Sequence, residues 1–249
     1  MLHQAKYEQK SYWRNPPSAF FTFAFPLMFL LIFGSLNAGN RLGDLPFNQF
    51  YVPGILAFGV ISATYTNLAM TLTIRRDAGV LKRLRGTPLP AWALLAGLMT
   101  SCLLVSIVLS ALVVGIGVLL FDFRVPPHLP AIAVALLLGV ACFSAVGVAV
   151  TSLIRNSDAA PAVVNGLLFP VLFLSGVFYP LPAGSLISRV ADLFPVSHFG
   201  RALFVAFDPR LPAGPLHGFA WPDLAVLAAW TVGASLLAVR TFRWTPTRR

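Results

Sequence analysis

Six apolar runs constrain this chain more than anything else in it. They lie at 18–38, 50–73, 91–121, 129–154, 159–178 and 223–239. Away from their ends they contain no Asp, Glu, Lys, Arg or His. A helix needs about 20 such residues to cross a bilayer core, and in hydrocarbon the backbone must satisfy its own hydrogen bonds. The runs therefore predict six membrane-spanning helices. Only 10% of residues are charged, against roughly 25% in soluble domains. The chain reads as an all-α membrane protein, one transmembrane domain over 1–249.

The net charge of +10 raises nucleic acid as a partner. The basic residues, however, cluster at the ends of the apolar runs, as membrane topology demands, so the bilayer and not nucleic acid is the expected surroundings. With both termini placed in the cytoplasm, thirteen Lys and Arg fall on the inner side and five on the outer. That asymmetry supports six spans with cytoplasmic ends. Residues 1–17 carry Lys6, Lys10 and Arg14, the sole glutamate Glu8, and Tyr7, Tyr12 and Trp13 before Asn15-Pro16-Pro17. They predict an interfacial helix, and they fit a cleaved signal peptide poorly.

Within the spans a few polar and small residues stand out. Thr64 and Asn67 in the second run and Asn165 in the fifth either bond across helices or line a path. Ala111 and Gly115 in the third run, and Ala225, Ala229 and Gly233 in the last, have a spacing that suits close helix packing. Between the fifth and sixth runs, 183–221 holds two short apolar helical patterns. One is Leu186, Ile187, Val190, Leu193 and Phe194, and the other is Phe199, Leu203, Phe204 and Phe207. Each is too short to span, so a re-entrant or interfacial segment on the outer face is expected.

Several chemistries are not encoded. Proton- or cation-driven transporters generally need an ionisable group or a broken-helix ion site at membrane depth, and channels need a selectivity ring. No Ser-His-Asp grouping, metal-ligand cluster or phosphate-binding G-x-x-x-x-G-K-[ST] loop appears, and no lysine follows a glycine. His3, His128, His198 and His217 are scattered, and Cys102 and Cys142 read as small apolar residues. No catalytic or metal site is expected. Uphill movement of a solute would require energy from another chain.

The place for such a chain to push is the basic segment 75–88, between the second and third runs. It holds Arg75, Arg76, Asp77, Gly79, Val80, Leu81, Lys82, Arg83, Leu84 and Arg85, and Gly86 and Pro88 mark its stop. Val80, Leu81 and Leu84 share one helix face, with Lys82, Arg83 and Arg85 around the rest. Asp77 near the start suits the positive end of a helix dipole. The expectation is one short cytoplasmic helix offering an apolar ridge and a basic flank to a partner.

Residues 76–89, Arg-Asp-Ala-Gly-Val-Leu-Lys-Arg-Leu-Arg-Gly-Thr-Pro-Leu, resemble the segment after the second span in ABC-2 type transporter permeases, especially the daunorubicin-resistance-like drug exporters. Asp77 stands where that family usually has Glu, and Val80 where it usually has Thr. Ser175-Gly176-Val177-Phe178-Tyr179-Pro180 through Leu193-Phe194-Pro195-Val196-Ser197-His198 is similar to the family's fifth-helix end and external re-entrant pair. His198 departs from the family's aromatic or hydroxyl residue. The resemblance implies the permease half of an ATP-binding-cassette exporter in a bacterial inner membrane. It implies a separate ATPase subunit, which would hold the ATP and Mg²⁺, with no catalysis and no cofactor in this chain. It implies a second copy, or a related permease chain, across the path. It implies that 75–88 is the coupling helix, 1–17 the connecting helix, and that Thr64, Asn67 and Asn165 face the path.

Efflux of a drug-like or lipidic amphiphile, with antibiotic resistance as its outcome, suits apolar spans that offer few polar groups. The same machinery exporting a polysaccharide or lipid-linked glycan would call for exposed aromatics along the path. A membrane scaffold or assembly factor with no transport is the third reading.

Overall fold

The computed structural model describes residues 2–37, 39–42, 44–86, 91–124, 128–182, 184–212, 214 and 217–242. Thr87 and Pro88 of the basic segment, and Arg243, Arg248 and Arg249 of the tail, lie outside them. The described fold is helical apart from a two-residue antiparallel ribbon, β1 (Arg41–Leu42) with β2 (Leu45–Pro46).

The N-terminal helix α1 (Leu2–Trp13) leads into α2 (Pro16–Leu36). Two prolines occupy the first turn of α2, where the missing N–H groups cost nothing and φ is already helical. The Asn37 amide closes α2 by donating to the Phe33 carbonyl, at 3.0 Å. Then α3 (Phe47–Ile61), a π-turn (Ser62–Thr66) and α4 (Asn67–Asp77) run end to end as one rod of 31 residues. At 1.5 Å per residue the rod is about 46 Å long and outreaches a hydrocarbon core of about 30 Å. The Thr64 hydroxyl back-bonds to the Val60 and Ile61 carbonyls, at 2.7 and 3.3 Å, which loosens the ladder where the turn widens. The second run, expected at 50–73, thus extends through Arg75, Arg76 and Asp77.

After α5 (Val80–Arg85) come α6 (Ala91–Phe121), α7 (Leu129–Val150), α8 (Ala160–Leu174), α9 (Leu186–Ala191), α10 (Pro195–Ala206) and α11 (Trp221–Thr241). Among the described residues, five helical stretches are long and apolar enough to cross a membrane: α2, the α3–α4 rod, α6, α7 and α11. The expected fifth span, 159–178, contains only the 15 residues of α8, about 22 Å of helix. It stops where Gly176 takes a left-handed φ of 73°.

The rod is the core. Every residue from Tyr51 to Ile61 is buried, against α2, α6, α7 and α10. At the far end from the basic segment, the buried Gln49 amide clamps three elements. Its nitrogen donates to the Arg124 and Phe207 carbonyls, at 3.0 and 3.1 Å, and its oxygen accepts from the Arg124 N–H. The two short helices of 183–221 differ in kind. The α9 face of Leu186, Ile187, Val190 and Leu193 is bare, whereas α10 is mostly buried against α3, α7 and α11. Phe199 sits over Gly139, and Phe204 stacks on Phe50 with centroids 4.6 Å apart.

The small-residue stripes are not the seams of this fold. Ala111 is exposed and a side chain on Gly115 would meet open space. Ala225, Ala229 and Gly233 all point outward, because α11 packs on α7 and α10 and the face it buries holds Leu224, Leu227, Ala234 and Ala238. The close approaches are at Gly147, where an added Cβ would lie 2.9 Å from the Tyr65 carbonyl oxygen, at Gly139, and at Gly54 against the Val177 carbonyl.

That contrast is testable by thermal unfolding in mild detergent. Gly54→Ala drives a methyl into a backbone carbonyl and is expected to lose about 1–3 kcal/mol, the usual cost of overpacking. Gly233→Ala, in open space, should stay within about 0.5 kcal/mol of the parent. Equal effects at the two positions would refute the packing described.

Candidate functional site

The basic segment is two pieces joined by a reversal. Helix α4 continues through Asp77 because nothing stops it until Gly79, whose φ of +69° belongs to the left-handed region. The Ala78 and Gly79 N–H groups close the helix by donating to the Ile74 and Arg76 carbonyls, and the Gly79 carbonyl accepts from Arg83 to start α5. Asp77 therefore stands at the C-terminal end of α4. The expectation of an acid at the start of one helix over 75–88 is corrected on this point.

Asp77 is stabilised by partners from elsewhere. Its carboxylate accepts the Ser157 N–H and lies 3.4 Å from Arg76 Nε. Arg76 is 2% exposed. Its guanidinium donates to the Thr151 and Ile154 carbonyls, at 2.9 and 2.7 Å, and reaches Arg155 at 3.4 Å. These carbonyls follow the last residue of α7, so the cation sits at the negative end of that helix. Arg75 forms a two-pronged pair with Glu8, at 2.9 and 2.6 Å. Gln4 donates to the same carboxylate at 3.0 Å, and Gln9 donates to the Ser101 carbonyl. Helix α1 is thereby tied to both α4 and α6, and Gly97 leaves room for Gln4.

The apolar ridge of α5 also turns inward. Leu81 is fully buried with Leu68, Leu72, Leu94 and Leu98, and Leu84 packs on the same cluster. The ridge was expected to face a partner, but the ends of α4 and α6 take it first. Lys82 and Arg83 remain exposed, and Arg83 also donates to the Ala78 carbonyl at 3.3 Å. Of the segment's cations, two are directed inward and these two outward. The side chain of Arg85 lies outside the described residues.

The path candidates do not converge. Thr64 is fully buried and bonded to its own helix. Asn67 lines a cleft beneath α1, where it accepts from Thr71 at 3.3 Å. Asn165 is half-buried on α8, beside Val164, whose carbonyl accepts from the Tyr65 hydroxyl at 3.2 Å. Neither Thr64 nor Asn165 lines the cleft holding Asn67.

A second charged cluster escaped sequence reasoning. His198 Nδ1 lies 2.7 Å from the Asp223 carboxylate, and its Nε2 lies 3.0 Å from the Asp192 carbonyl. Arg201 donates to Asp192 at 2.6 Å and to Asp223 at 2.9 Å. Burial works against the Arg201 charge, but the hydrogen bonds and fields of the two carboxylates outweigh it and raise its pKa. The four residues are spread over 192–223, and only the fold brings them together. Among the described residues no group of three His, Cys, Asp or Glu could hold a metal ion. Cys102 and Cys142 are both free and buried.

Long apolar helices with a cation-bearing turn at one end define a polytopic helical membrane protein. The profile of the ABC-2 type transporter family matches residues 4–207. The chain belongs to that family. It is 28% identical over 157 residues to the inner membrane transport permease YadH of Escherichia coli K12, covering 62% of this chain and 60% of that permease. The YadH of Shigella flexneri matches to the same extent.

Arg76 offers the sharpest test of this geometry. Arg76→Met orphans buried carbonyls and is expected to destabilise the chain by about 2–4 kcal/mol, since hydrogen bonds to charged groups contribute about 1.5–3 kcal/mol each. Arg76→Lys, with one compact charge and no fork, should fall between Met and the parent. Limited proteolysis at the 151–158 turn would read the loss. Parent-like resistance in the Met variant would show that the fork contributes nothing.

Proposed function

We propose that this chain is the transmembrane subunit of an ATP-driven exporter, with α5 as the surface on which a separate ATPase subunit pushes. The single observation that carries this reading is the division of the basic segment. Lys82 and Arg83 face outward, while Leu81, Arg75, Arg76 and Asp77 bind the turn to α1, α4 and the α7–α8 turn. A force applied to the exposed cations is then borne by the rod and not dissipated in a loose loop. The coupling role thus splits. Lys82 and Arg83 touch the ATPase, and Arg75, Arg76, Asp77, Gly79, Val80, Leu81 and Leu84 hold the surface in place.

In this reading the fifth span is α8 prolonged by 175–178, and α9 with α10 is the external re-entrant pair. Both termini lie in the cytoplasm of a bacterial cell, following the thirteen-to-five charge asymmetry. The related YadH is named an inner membrane transport permease, and we carry that location to this chain. A second copy, or a related permease chain, completes the path. The cargo is a drug-like or lipidic amphiphile. A glycan cargo is favoured by one observation only, the run of neighbouring rings Phe21, Phe25, Phe29 and Phe33 along α2, with centroids 5.7–6.5 Å apart.

Lys82→Glu with Arg83→Glu is the direct test, and it is cleaner than any change at the buried Leu81 or the packed Leu84. In mild-detergent purification from native membranes, the double variant is expected to lose a co-purifying nucleotide-binding subunit and its vanadate-sensitive ATP hydrolysis. Its own unfolding midpoint should stay within about 0.5 kcal/mol equivalent of the parent, as for exposed positions generally. An ATPase retained undiminished by the variant would overturn the coupling role, and no ATPase with the parent would favour a scaffold.

A further inference from the structure

From the cleft beneath α1 we infer that this chain has a binding site for the uncharged polar head of an amphiphile, set apart from any path between two copies. The cleft holds about 200 Å³, room for several waters or for one small head group. Its walls come from α1, α4 and α6. The hydroxyls of Ser11, Tyr12, Thr71 and Ser101 and the amides of Asn15 and Asn67 supply donors and acceptors of both kinds.

The chemistry of the head follows from the charges at the cleft. Only Glu8 and Arg75 are ionised there, and they are spent on each other in a two-pronged pair that also takes Gln4. An anionic head would have to break that pair to reach Arg75, and a cationic head would have to displace Arg75 from Glu8. Either leaves a part-buried charge unpaired, which is costly. A head rich in hydroxyls or amides meets complementary groups without that penalty. Tyr12 belongs with such a neutral lining. Burial raises its pKa above the usual phenol value, so its hydroxyl stays protonated.

A tail is indicated by the rim. Ile74 lines the cleft, yet it is more than half exposed on α4. Leu68 and Leu98 line the cleft as well. Ser11 and Asn15 are exposed beside Ile74 at the mouth, and Leu68 and Leu98 are buried in the wall, so the lining offers polar and apolar surface side by side, which fits a molecule with one end of each kind. A resident glycerolipid and an exported amphiphile share this chemistry. The site depends on the chain being embedded in a bilayer but not on ATPase attachment.

The test uses the full chain in nanodiscs and two photoreactive probes with equal tails and a diazirine in the head, a monoglucosyl diacylglycerol and a phosphatidic acid. The glucosyl probe is expected to label residues 11–15, 67–75 and 98–102. Thr71→Leu, which fills the cleft, should lower that labelling by about tenfold, equivalent to about 1.4 kcal/mol. Thr71→Ser keeps the hydroxyl and the space and should label like the parent, which guards against a Leu variant that simply misfolds. Preferential labelling by the phosphatidic acid probe, or glucosyl labelling unchanged by Thr71→Leu, would overturn the inference. The two sources separate in native membranes supplied with ATP and Mg²⁺, where labelling that persists marks a resident lipid and labelling that falls marks cargo. If no ATPase assembles, the nanodisc result still decides the site while the exporter reading fails by itself.

Discussion

The fold depends at its basic end on one desolvated cation. Moving a guanidinium out of water costs several kcal/mol, so Arg76 can be buried only where preformed negative charge awaits it. The Thr151 and Ile154 carbonyls, just past the negative end of α7, are such a charge. Arg76 satisfies them and is satisfied by them, with Asp77 completing the balance. The same carboxylate takes the Ser157 N–H, so the start of α8 is held by the pair as well.

This arrangement explains why the opposite ends of the molecule are built differently. The basic end is joined by charged forks, Arg76 to the α7–α8 turn and Arg75 to α1. The other end is joined by the neutral Gln49 amide and by the partly solvated cluster of Asp192, His198, Arg201 and Asp223. Between them, the helix faces within the bundle meet through apolar contact and glycine clefts. In a bilayer, where lipid tails are as apolar as leucine, close backbone approach and a few hydrogen bonds must provide the specificity. Gly147 against Tyr65 and the Tyr65 hydroxyl on the Val164 carbonyl provide both at the π-turn.

The helical fold was legible because apolar length survives any tertiary context. The third run was expected at 91–121 and is a helix over the same residues, and the last differs by two residues at each end. Boundaries went astray where a helix outlasts its apolar run. The second ends at Asp77 because only Gly79 can reverse the chain, and Arg75 and Arg76 are good helix formers despite their charge. The apolar face of α5 was read from its spacing, but spacing cannot say whether the neighbour on that face is this chain or another. The same ambiguity holds for the Ala225 stripe, whose spacing suits close packing without naming the neighbour, and which faces outward here. Long-range pairs such as Glu8 with Arg75 or His198 with Asp223 left no local signal. The lone glutamate of the chain, set in a basic segment, was the nearest thing to one.

Under the proposed function, a coupling surface has to combine contradictory properties, and the division at Gly79 would resolve the conflict. Exposed cations are needed to meet a partner, yet exposed surface loops are the least stable parts of most proteins and transmit displacement poorly. Placing the cations on a turn whose other face is Leu81 in a packed cluster ties the exposed element to the core beneath it. The two inward arginines extend that stiffness sideways to α1 and the α7–α8 turn. What gives way under load must then lie elsewhere along the rod. The π-turn is where the ladder of α3–α4 is already irregular, midway between the Gln49 clamp and the Arg76 fork. A displacement of α5 would therefore act as a lever on the residues around Thr64 and Tyr65, and through the Tyr65 hydroxyl on α8. Stiffness at the basic end and irregularity at the centre are what such a lever requires.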